Sequence, residues 1–519
     1  MPAPSHTPGP ARTPTPRTPT PRAPAPNARR GGILVRLLVT LAVAVLALVA
    51  TMAWHTWRLG RAQEAVTPRA GVAVDAQAAA QRLSLAVQQA TLADAEDTHA
   101  AAFQALHRHL ASSFPTVHAR LQRTEVGRHA LLFTWPGSDP SAKPVALMAH
   151  QDVVPVAPGT ESQWTAPPFG GQIKDGFVWG RGAWDDKAGL MAILEAVESL
   201  LKAGFQPRQT VYLVFGADEE VGGADGAARI AAQFKAQGVR LGLVLDEGLL
   251  ITHGMVPGVS KPVALVGLAE KGYVTVKLTA KGAGGHSSMP PPRSAIGILG
   301  EAVARVEAHP MPTHFGGLPR ATFEAVAPEA DGAMRWVLSN LWLTSPLVER
   351  QLEKLPAGNA MLRSTGVATV FRAGERDNVL PGVAQASVNF RLLPGDRSAD
   401  VLAHVRRVLA DLPVTAEVGK EFNEPSPVSP REGQGLQWVS RALRELQPGV
   451  VVAPGLLVGG TDSRHFTEVA DEVLRFAPIH VTSPDMPRFH GSNERISVAN
   501  HVEMIQFYER LLRLASTPP

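Results

Sequence analysis

The chain has 519 residues, 45% of them hydrophobic, which is more than a single core organises and leads to an expectation of two folded domains plus an appendage. Its formal net charge of +4 is unevenly placed: Arg12, Arg17, Arg22, Arg29, Arg30, Arg36, Arg58 and Arg61 all precede the first acid, Glu64, and removing these 8 from the 50 basic residues leaves 42 against 46 acidic ones. No nucleic-acid partner is indicated, and with no cysteine in the chain, disulfides, zinc fingers and thiol catalysis are excluded, so any metal has to be held by His, Asp and Glu.

Residues 1–32 are Pro, Thr, Ala and Arg in near-repeats (TPTPRTPTPRAPAP), a composition that cannot bury a core and reads as a disordered or polyproline II tail. From Leu37 to Trp54 run 18 residues without a charge, preceded by Ile33 to Val35. That is long enough to cross a hydrocarbon core of ~30 Å at ~1.5 Å per residue, so residues 33–57 read as a transmembrane signal anchor. A cleaved signal peptide has an apolar region of only ~7–15 residues, and Thr51-Met52-Ala53 is a weak cleavage site. Six arginines before the span and two after it put the N-terminus in the cytoplasm and the rest of the chain outside it, in a periplasm or lumen.

Residues 77–270 alternate helix and strand patterns. Gln77 to Phe114 has helical spacing and Leu131 to Trp135 reads as a strand. KPVALMAHQDVVP (143–155) is a buried strand releasing His150 and Asp152, whose spacing of two puts both on one face, where a carboxylate can orient an imidazole; a histidine hydrogen-bonded at a strand end reads the same way. FVWGRGAWDDKAGL (177–190) sets Asp185 and Asp186 at the positive end of the following helix, and an N-cap accounts for only one of them. Val211 to Phe215 is another buried strand, stopped by Gly216 and followed by Asp218, Glu219 and Glu220, three acids that repel one another and call for a cation unless they are a solvated turn. After a helix over Asp225 to Gln237, the strand Leu241 to Leu245 delivers Asp246 and Glu247. Three apolar strands thus release His and acidic residues at their carboxyl ends, the edge at which open α/β sheets bind ligands, and the gathering fits a metal site.

From Tyr273 the order becomes strand (to Ala280), helix (Ser294 to Ala308), two strands (Val367 to Arg372, Ala384 to Leu392), helix (Val401 to Leu412) and strand (Val414 to Val418), which is the order of a ferredoxin-like unit. Residues 271–420 therefore read as an inserted lid domain. It is interrupted at about 311–363 by a segment whose WVLSNLWL run is too apolar for a loop and suits a packing helix, a subunit contact or a membrane-touching patch. The first pattern resumes over 421–514 with a helix (Gly435 to Glu445), the Gly-rich stretch Val458 to Phe466, a strand (Val473 to Phe476), His490 in RFHGSNERI and a closing helix (Val498 to Leu514).

The ordered motifs AHQDVVPV, GRGAWDDKAG, ADEEVGG, the acid after LVL, GHSSMPP, DNVLPG, NFRLLPGD, GGTDSRHF and HGSNERI resemble the M20 family of dinuclear zinc metallopeptidases, which includes carboxypeptidase S, the aminoacylases and the N-fatty-acyl-amino-acid hydrolases. The resemblance covers about Gln77 to Leu514. It implies an α/β zinc-peptidase fold, a mixed and mainly parallel sheet with an inserted ferredoxin-like lid that pairs two subunits. It implies two Zn2+ ions, with Co2+ or Mn2+ as substitutes: one held by His150, Asp185 and Asp246, the other by Asp185, Glu220 and His490. Glu219 is then the general base and Asp152 orients His150. By the same resemblance, His286 of GHSS steadies an oxyanion in a partner subunit's site. Arg391, Asn378, Gly459, Gly460 and Thr461 match positions that hold the substrate carboxylate. The implied activity is hydrolysis of an amide beside a free carboxylate, in a peptide (carboxypeptidase or dipeptidase) or an N-acyl amino acid. A catalytically idle membrane-tethered binding protein is the alternative from another class.

Overall fold

The structure is a computed structural model that describes every residue except 12, 15, 17, 20–27, 61–62, 64–65 and 518–519. It divides into two compact units, Met1–Trp57 and Arg58–Pro519. Part of the expected disordered tail, residues 12, 15, 17 and 20–27, lies outside the described residues; the others up to 19 form no helix or strand. A helix spans Ala28–Arg58, beginning inside the stretch expected to be tail. Its portion Ile33–Arg58 is the one helix among the described residues long and apolar enough to cross a membrane, and its Ile, Leu and Val side chains are largely exposed.

The larger unit is built on an eight-stranded sheet in the spatial order Gln122–Val126, Ala130–Trp135, Val211–Gly216, Val145–His150, Leu241–Thr252, Ala470–Val481, Val263–Glu270, Val451–Leu457. The four central strands run parallel, as do the last two, while the first two are antiparallel. Parallel strands are covered on both faces and so carry unbroken apolar runs: every residue of Val145–His150 is buried. Helices Ala76–Val87, Lys187–Lys202, Gln434–Leu446 and Val498–Ala515 pack on one face through residues such as Leu83, Ile193, Val197, Val439 and Phe507. Helix Ala227–Ala236 covers the other face with Ile230 and Phe234. The helical pattern between Gln77 and Phe114 resolves into two helices, Ala76–Val87 and Ala100–Ser113.

A second, four-stranded antiparallel sheet has the order Thr365–Ala373, Val383–Leu392, Gly272–Lys281, Val414–Asn423. With helices Ala295–Ala308 and Ser398–Val408 on one side it encloses its own core, including Val274, Leu278, Leu299, Phe390 and Val405, and its connectivity and order are ferredoxin-like.

The segment between its first helix and second strand forms four helices, Gly317–Val326, Gly332–Ser339, Leu341–Leu352 and Pro356–Leu362. WVLSNLWL ends one helix and starts the next. These helices pack on the large sheet: Phe323, Val326, Leu338 and Leu341 share a core with Val451 and Ala453, and the Thr322 hydroxyl donates to the Pro454 carbonyl at 2.7 Å. They cover an edge strand that would otherwise present unpaired backbone groups.

The chain leaves the large sheet for the small one at Glu270-Lys271-Gly272 and returns at Asn423 to Ser426. Glu270 N–H donates to Ser426 Oγ at 2.9 Å, and a Cβ on Gly272 would lie 2.5 Å from the Asn423 carbonyl oxygen, so only glycine lets the two crossings meet. Glu270 Oε2 accepts from Arg475 Nε at 3.0 Å, a pair with the arginine fully buried. Lys271, also buried, donates to the carbonyls of Ala360 (2.9 Å) and Arg363 (2.8 Å) at the end of the Pro356–Leu362 helix. Burial, with the charge of Arg391, holds its amine down to about 7.

Candidate active site

The acids gather at the carboxyl edge of the large sheet. His150 is the last residue of its strand, fully enclosed, and its Nδ1 donates to the Asp152 main-chain carbonyl at 2.9 Å. That bond turns Nε2 toward the acids, 3.0 Å from Asp185 Oδ1 and 3.5 Å from Glu247 Oε1. The Asp152 carboxylate stands 3.5 Å from the same Nδ1, but its two oxygens are spent on the backbone amides of Glu219 (3.1 Å) and Glu220 (3.0 Å). Asp152 therefore ties the end of one strand to the turn that follows the next. The other Asp185 oxygen, Oδ2, lies 2.8 Å from His490 Nε2, which is also 3.4 Å from Glu220 Oε1. Asp185 thus offers one oxygen to each histidine.

Two residues outside the expected set hold this arrangement. Glu494, with no exposed surface, accepts from the amides of Trp184 (2.9 Å) and Asp185 (3.1 Å) and pairs with Arg181 at 2.6 Å. Arg181 in turn donates to the His490 carbonyl at 3.1 Å. The loops bearing Asp185 and His490 are pinned together by one buried ion pair. The signal was present in the sequence, since Arg181 and Glu494 sit inside GRGAWDD and HGSNERI.

Asp246, expected as a metal ligand, is held by backbone amides in the structure. Its Oδ2 accepts from Ser463 N at 2.8 Å and its Oδ1 from Glu247 N at 3.0 Å, and it belongs to neither acid cluster around His150. Glu247 faces His150 instead. The strand bulges here: Asp246 pairs with Arg475 but Leu249 already pairs with Phe476, leaving Glu247 and Gly248 out of register. Gly248 permits it, with φ +145° and a Cβ position 2.8 Å from Arg475 Cβ. A bulge re-aims the side chain beside it. Thr461, expected at the substrate carboxylate, is buried: its N–H donates to Glu270 Oε2 at 3.1 Å and its hydroxyl meets Ser463 Oγ at 2.6 Å. Gly459 and Gly460 just before it are partly exposed. Asp462 lies enclosed, both oxygens without hydrogen-bond partners, in space left by Gly216 and Gly223, where a Cβ would stand 2.1 Å and 2.0 Å from it.

Burial raises the carboxyls of Glu219, Glu247 and Asp186 well above the usual range, and neighbouring acids push the same way. Burial alone would lower the His150 imidazole, but Asp152, Asp185 and the charge of Glu247 outweigh it and hold it well above its ordinary value. Asp185 and Glu220 raise His490 to about 10. Asp185 is itself held low by the two histidines, against burial. Negative charge thus exceeds what the two imidazoles can balance. The ligand atoms of His150, Asp185 and Glu220 lie within 4.8 Å of one another, as do those of His150, Asp186 and Glu247, and Glu220 Oε1 is a buried acceptor without a hydrogen-bond donor. Imidazole nitrogens and carboxylate oxygens converging with surplus negative charge fit a divalent cation. Glu219 belongs to neither cluster; its Oε1 is 3.6 Å from Arg464 Nη2.

The remaining expected residues lie apart from this cluster. Arg391 stacks over the Tyr273 ring at 5.1 Å, is lowered by burial and by the charge of Arg464, and has no carboxylate within 4 Å among the described residues. His286 pairs with Val379 in a small two-stranded ladder, and beside it Ser287 N–H donates to the Asn378 carbonyl at 3.1 Å; His286 and Asn378 are both exposed. His286 Nδ1 accepts from Ser288 N at 3.2 Å, which leaves the proton on Nε2.

Residues 146–514 match the family described as peptidase family M20/M25/M40. Over 435 residues the chain is 43% identical to an N-fatty-acyl-amino acid synthase/hydrolase, PM20D1.1 of Danio rerio, covering 83% of this chain and 84% of that protein. It is 39% identical to the probable carboxypeptidase S-like 2 of Dictyostelium discoideum (84% of each chain) and 31% identical to carboxypeptidase S of Saccharomyces cerevisiae (79% and 78%). Among solved structures it shares its fold with an M20 family metallo-carboxypeptidase from Sulfolobus solfataricus, at a TM-score of 0.61 and 17% identity, over 86% of this chain and all of that one.

Proposed function

The chain belongs to peptidase family M20/M25/M40, and from that premise we propose that it is a membrane-anchored, metal-dependent amidohydrolase cleaving an amide beside a free α-carboxylate, with apolar N-acyl amino acids as its preferred substrates. The observation that carries the reading is Asp185, with one oxygen at each histidine and a glutamate flanking each side. His150, Asp185 and Glu247 would hold one divalent ion and His490, Asp185 and Glu220 the other, zinc by preference, with cobalt or manganese able to substitute. Bound there, such ions activate a water and polarise an amide carbonyl.

The chain's own groups do the rest. Glu219, outside both ligand clusters and raised by burial, takes the proton from the attacking water and passes it to the leaving nitrogen. The Asp152 carboxylate fixes the amides of Glu219 and Glu220, so that base and ligand keep their separate directions. Arg391, free of any carboxylate of the chain among the described residues, pairs with the substrate's α-carboxylate. His286, exposed and carrying its proton on Nε2, serves as oxyanion donor to the site of a second copy in a homodimer formed through the small sheet. The anchor holds the catalytic unit on the far side of the membrane from the cytoplasm.

The preference for an apolar acyl group rests on Val221, exposed next to Glu220, and on Phe489, exposed and stacked on His490 with ring centroids 4.5 Å apart, with Met486 exposed one turn earlier. Relatives named carboxypeptidase S support a second reading, removal of a C-terminal residue from peptides. A hydrolysis screen of the full chain, N-acyl amino acids against dipeptides with bound metal counted, separates the two. Glu219→Gln should lower turnover by ~10²–10⁴-fold, the range of a lost general base, with metal content unchanged. Full activity in that variant would refute the mechanism.

A further inference from the structure

The strand Val145–His150 reaches the catalytic edge of the large sheet at its last residue; its first lies ~16 Å away, at ~3.3 Å per residue, and there the amino edge of the sheet holds a cavity of about 660 Å³. That size falls within the ~300–1,000 Å³ of small-molecule sites. Val145, Leu514, Ala515 and Trp438 give the cavity an apolar wall, the tryptophan half-buried against the main core. Gln209 lines it too, only 3% exposed and with an amide nitrogen that has no acceptor among the described residues. An enclosed donor without a partner is destabilising until something supplies an acceptor. An amide reverses with little change of shape, so Gln209 can turn that donor to a ligand oxygen.

A second, more open recess of about 470 Å³ shares Arg208 and Thr517 with the first. Lys143, Arg208, Arg441, Arg510 and Arg513 line the two together, against the acids Asp471 and Glu472. The chain does not balance these cations one for one. Arg208 pairs with Asp139 at 3.1 Å and Arg513 with Glu509 at 2.6 Å. Arg441, at 2.9 Å, and Arg510 share the single carboxylate of Glu445, with Arg69 3.9 Å from it. Asp471 is shared in the same way by Lys143 and by Arg240, the latter at 2.8 Å. Glu472, its carboxyl raised by burial, accepts from the Gly435 amide at 3.1 Å and pairs with no cation among the described residues. Surplus guanidinium charge beside an apolar wall suits an amphiphile that ends in a carboxylate, which the planar fork of arginine matches.

We propose that these recesses form an accessory site for a fatty carboxylate, separate from the catalytic centre, with the carboxylate at Arg208 and Arg441 and the alkyl chain along Trp438 and Leu514. Hydrolysis of an N-acyl amino acid releases such an acid, so occupancy of the site would follow product. The site stands on its own residues and does not require that reaction.

The test is photo-crosslinking of the full chain, in detergent solution, with a decanoate carrying a diazirine at the far end of its alkyl chain. Labelled peptides are mapped by mass spectrometry, and hydrolysis of an N-acyl amino acid is measured on the same preparation. Label is expected on the peptides that hold Trp438 and Leu514, and excess unlabelled decanoate should remove it. It should fall several-fold when the probe is the corresponding alcohol, a comparison that needs no variant, and again in Arg208→Gln/Arg441→Gln, with hydrolysis unchanged. Label that decanoate does not remove, equal label from the alcohol, or label confined to the peptides around Phe489 and His490 overturns the inference. Competed label at Trp438 and Leu514 in a chain that hydrolyses no N-acyl amino acid upholds the site and removes the functional reading given above.

Discussion

Glu270→Gln is the sharpest test of the junction between the two sheets. The substitution keeps the size of the side chain and an oxygen that can still accept from Thr461 N–H, so what it removes is the charge facing Arg475. Arg475 has no exposed surface, its Nε donates to Glu270 at 3.0 Å, its Nη1 to the Val473 carbonyl at 3.2 Å, and its Nη2 has no hydrogen-bond partner. A guanidinium left in such a place without its counter-charge costs ~3–5 kcal/mol. Removing both charges behaves differently: replacing a whole buried pair with groups of similar volume is often close to neutral. The double variant Glu270→Gln/Arg475→Met, which retains the acceptor for Thr461, should therefore recover to within about 1–2 kcal/mol of the parent. Urea unfolding followed by tryptophan fluorescence reads both. If the single variant loses less than about 1 kcal/mol, or the double is as unstable as the single, charge burial is not what the pair controls and the reasoning fails.

Three further outcomes are expected. Glu247→Gln should weaken metal binding after dialysis against a chelator by more than Asp246→Asn does, with the latter confined to the ~10–100-fold of a supporting residue; the opposite order would make Asp246 the ligand and refute the proposed role of Glu247. His501, fully buried with neither ring nitrogen bonded, is held down to about 4 by burial and the charge of Arg82, whereas in the unfolded chain it titrates near ~6.5. The folded form refuses a proton that the unfolded form accepts, so this stabilisation is whole above about 6.5 and drains as pH falls toward 4, by ~1.4 kcal/mol per unit. His501→Leu should flatten the wild-type decline in urea midpoint between pH 7 and 4.5, and parallel curves would refute the assignment. Gly223→Ala places a Cβ 2.0 Å from Asp462 Oδ1 at φ +69°, so it should destabilise by at least the ~1–2 kcal/mol of a left-handed non-glycine residue, and an unchanged unfolding midpoint would contradict that geometry.

Much of the site was legible because its residues lie where apolar runs stop. His150 ends, and Glu219 and Glu220 follow, a strand whose unbroken hydrophobicity marks it as buried on both faces, and Asp185 stands just ahead of a helix rich in apolar residues. That Glu247 faces His150 was not legible, because adjacent strand residues face opposite ways and a bulge against a strand more than two hundred positions later sets their directions. The contact of Thr461 was hidden for a similar reason: the Gly-rich loop shows its donors in the sequence, but not that Glu270, brought in by the other sheet crossing, accepts from the Thr461 amide. The strands Val263–Glu270 and Val451–Leu457 complete the sheet by pairing with each other across nearly two hundred residues, so neither carries a local turn signal. The helices of 311–363 were seen as apolar, but their target, an open sheet edge, exists only in three dimensions.

The pin formed by Glu494 has a consequence for how the protein is made. The amides of Trp184 and Asp185 wait for an acceptor 310 and 309 positions further along, and Asp185 waits for His490 from the same late stretch. A ribosome releases the chain in order, so the residues up to Glu247, acids included, emerge long before the segment that arranges them. The unfinished polypeptide therefore lacks a completed centre, which forms only as the late residues around His490 and Glu494 close over the sheet.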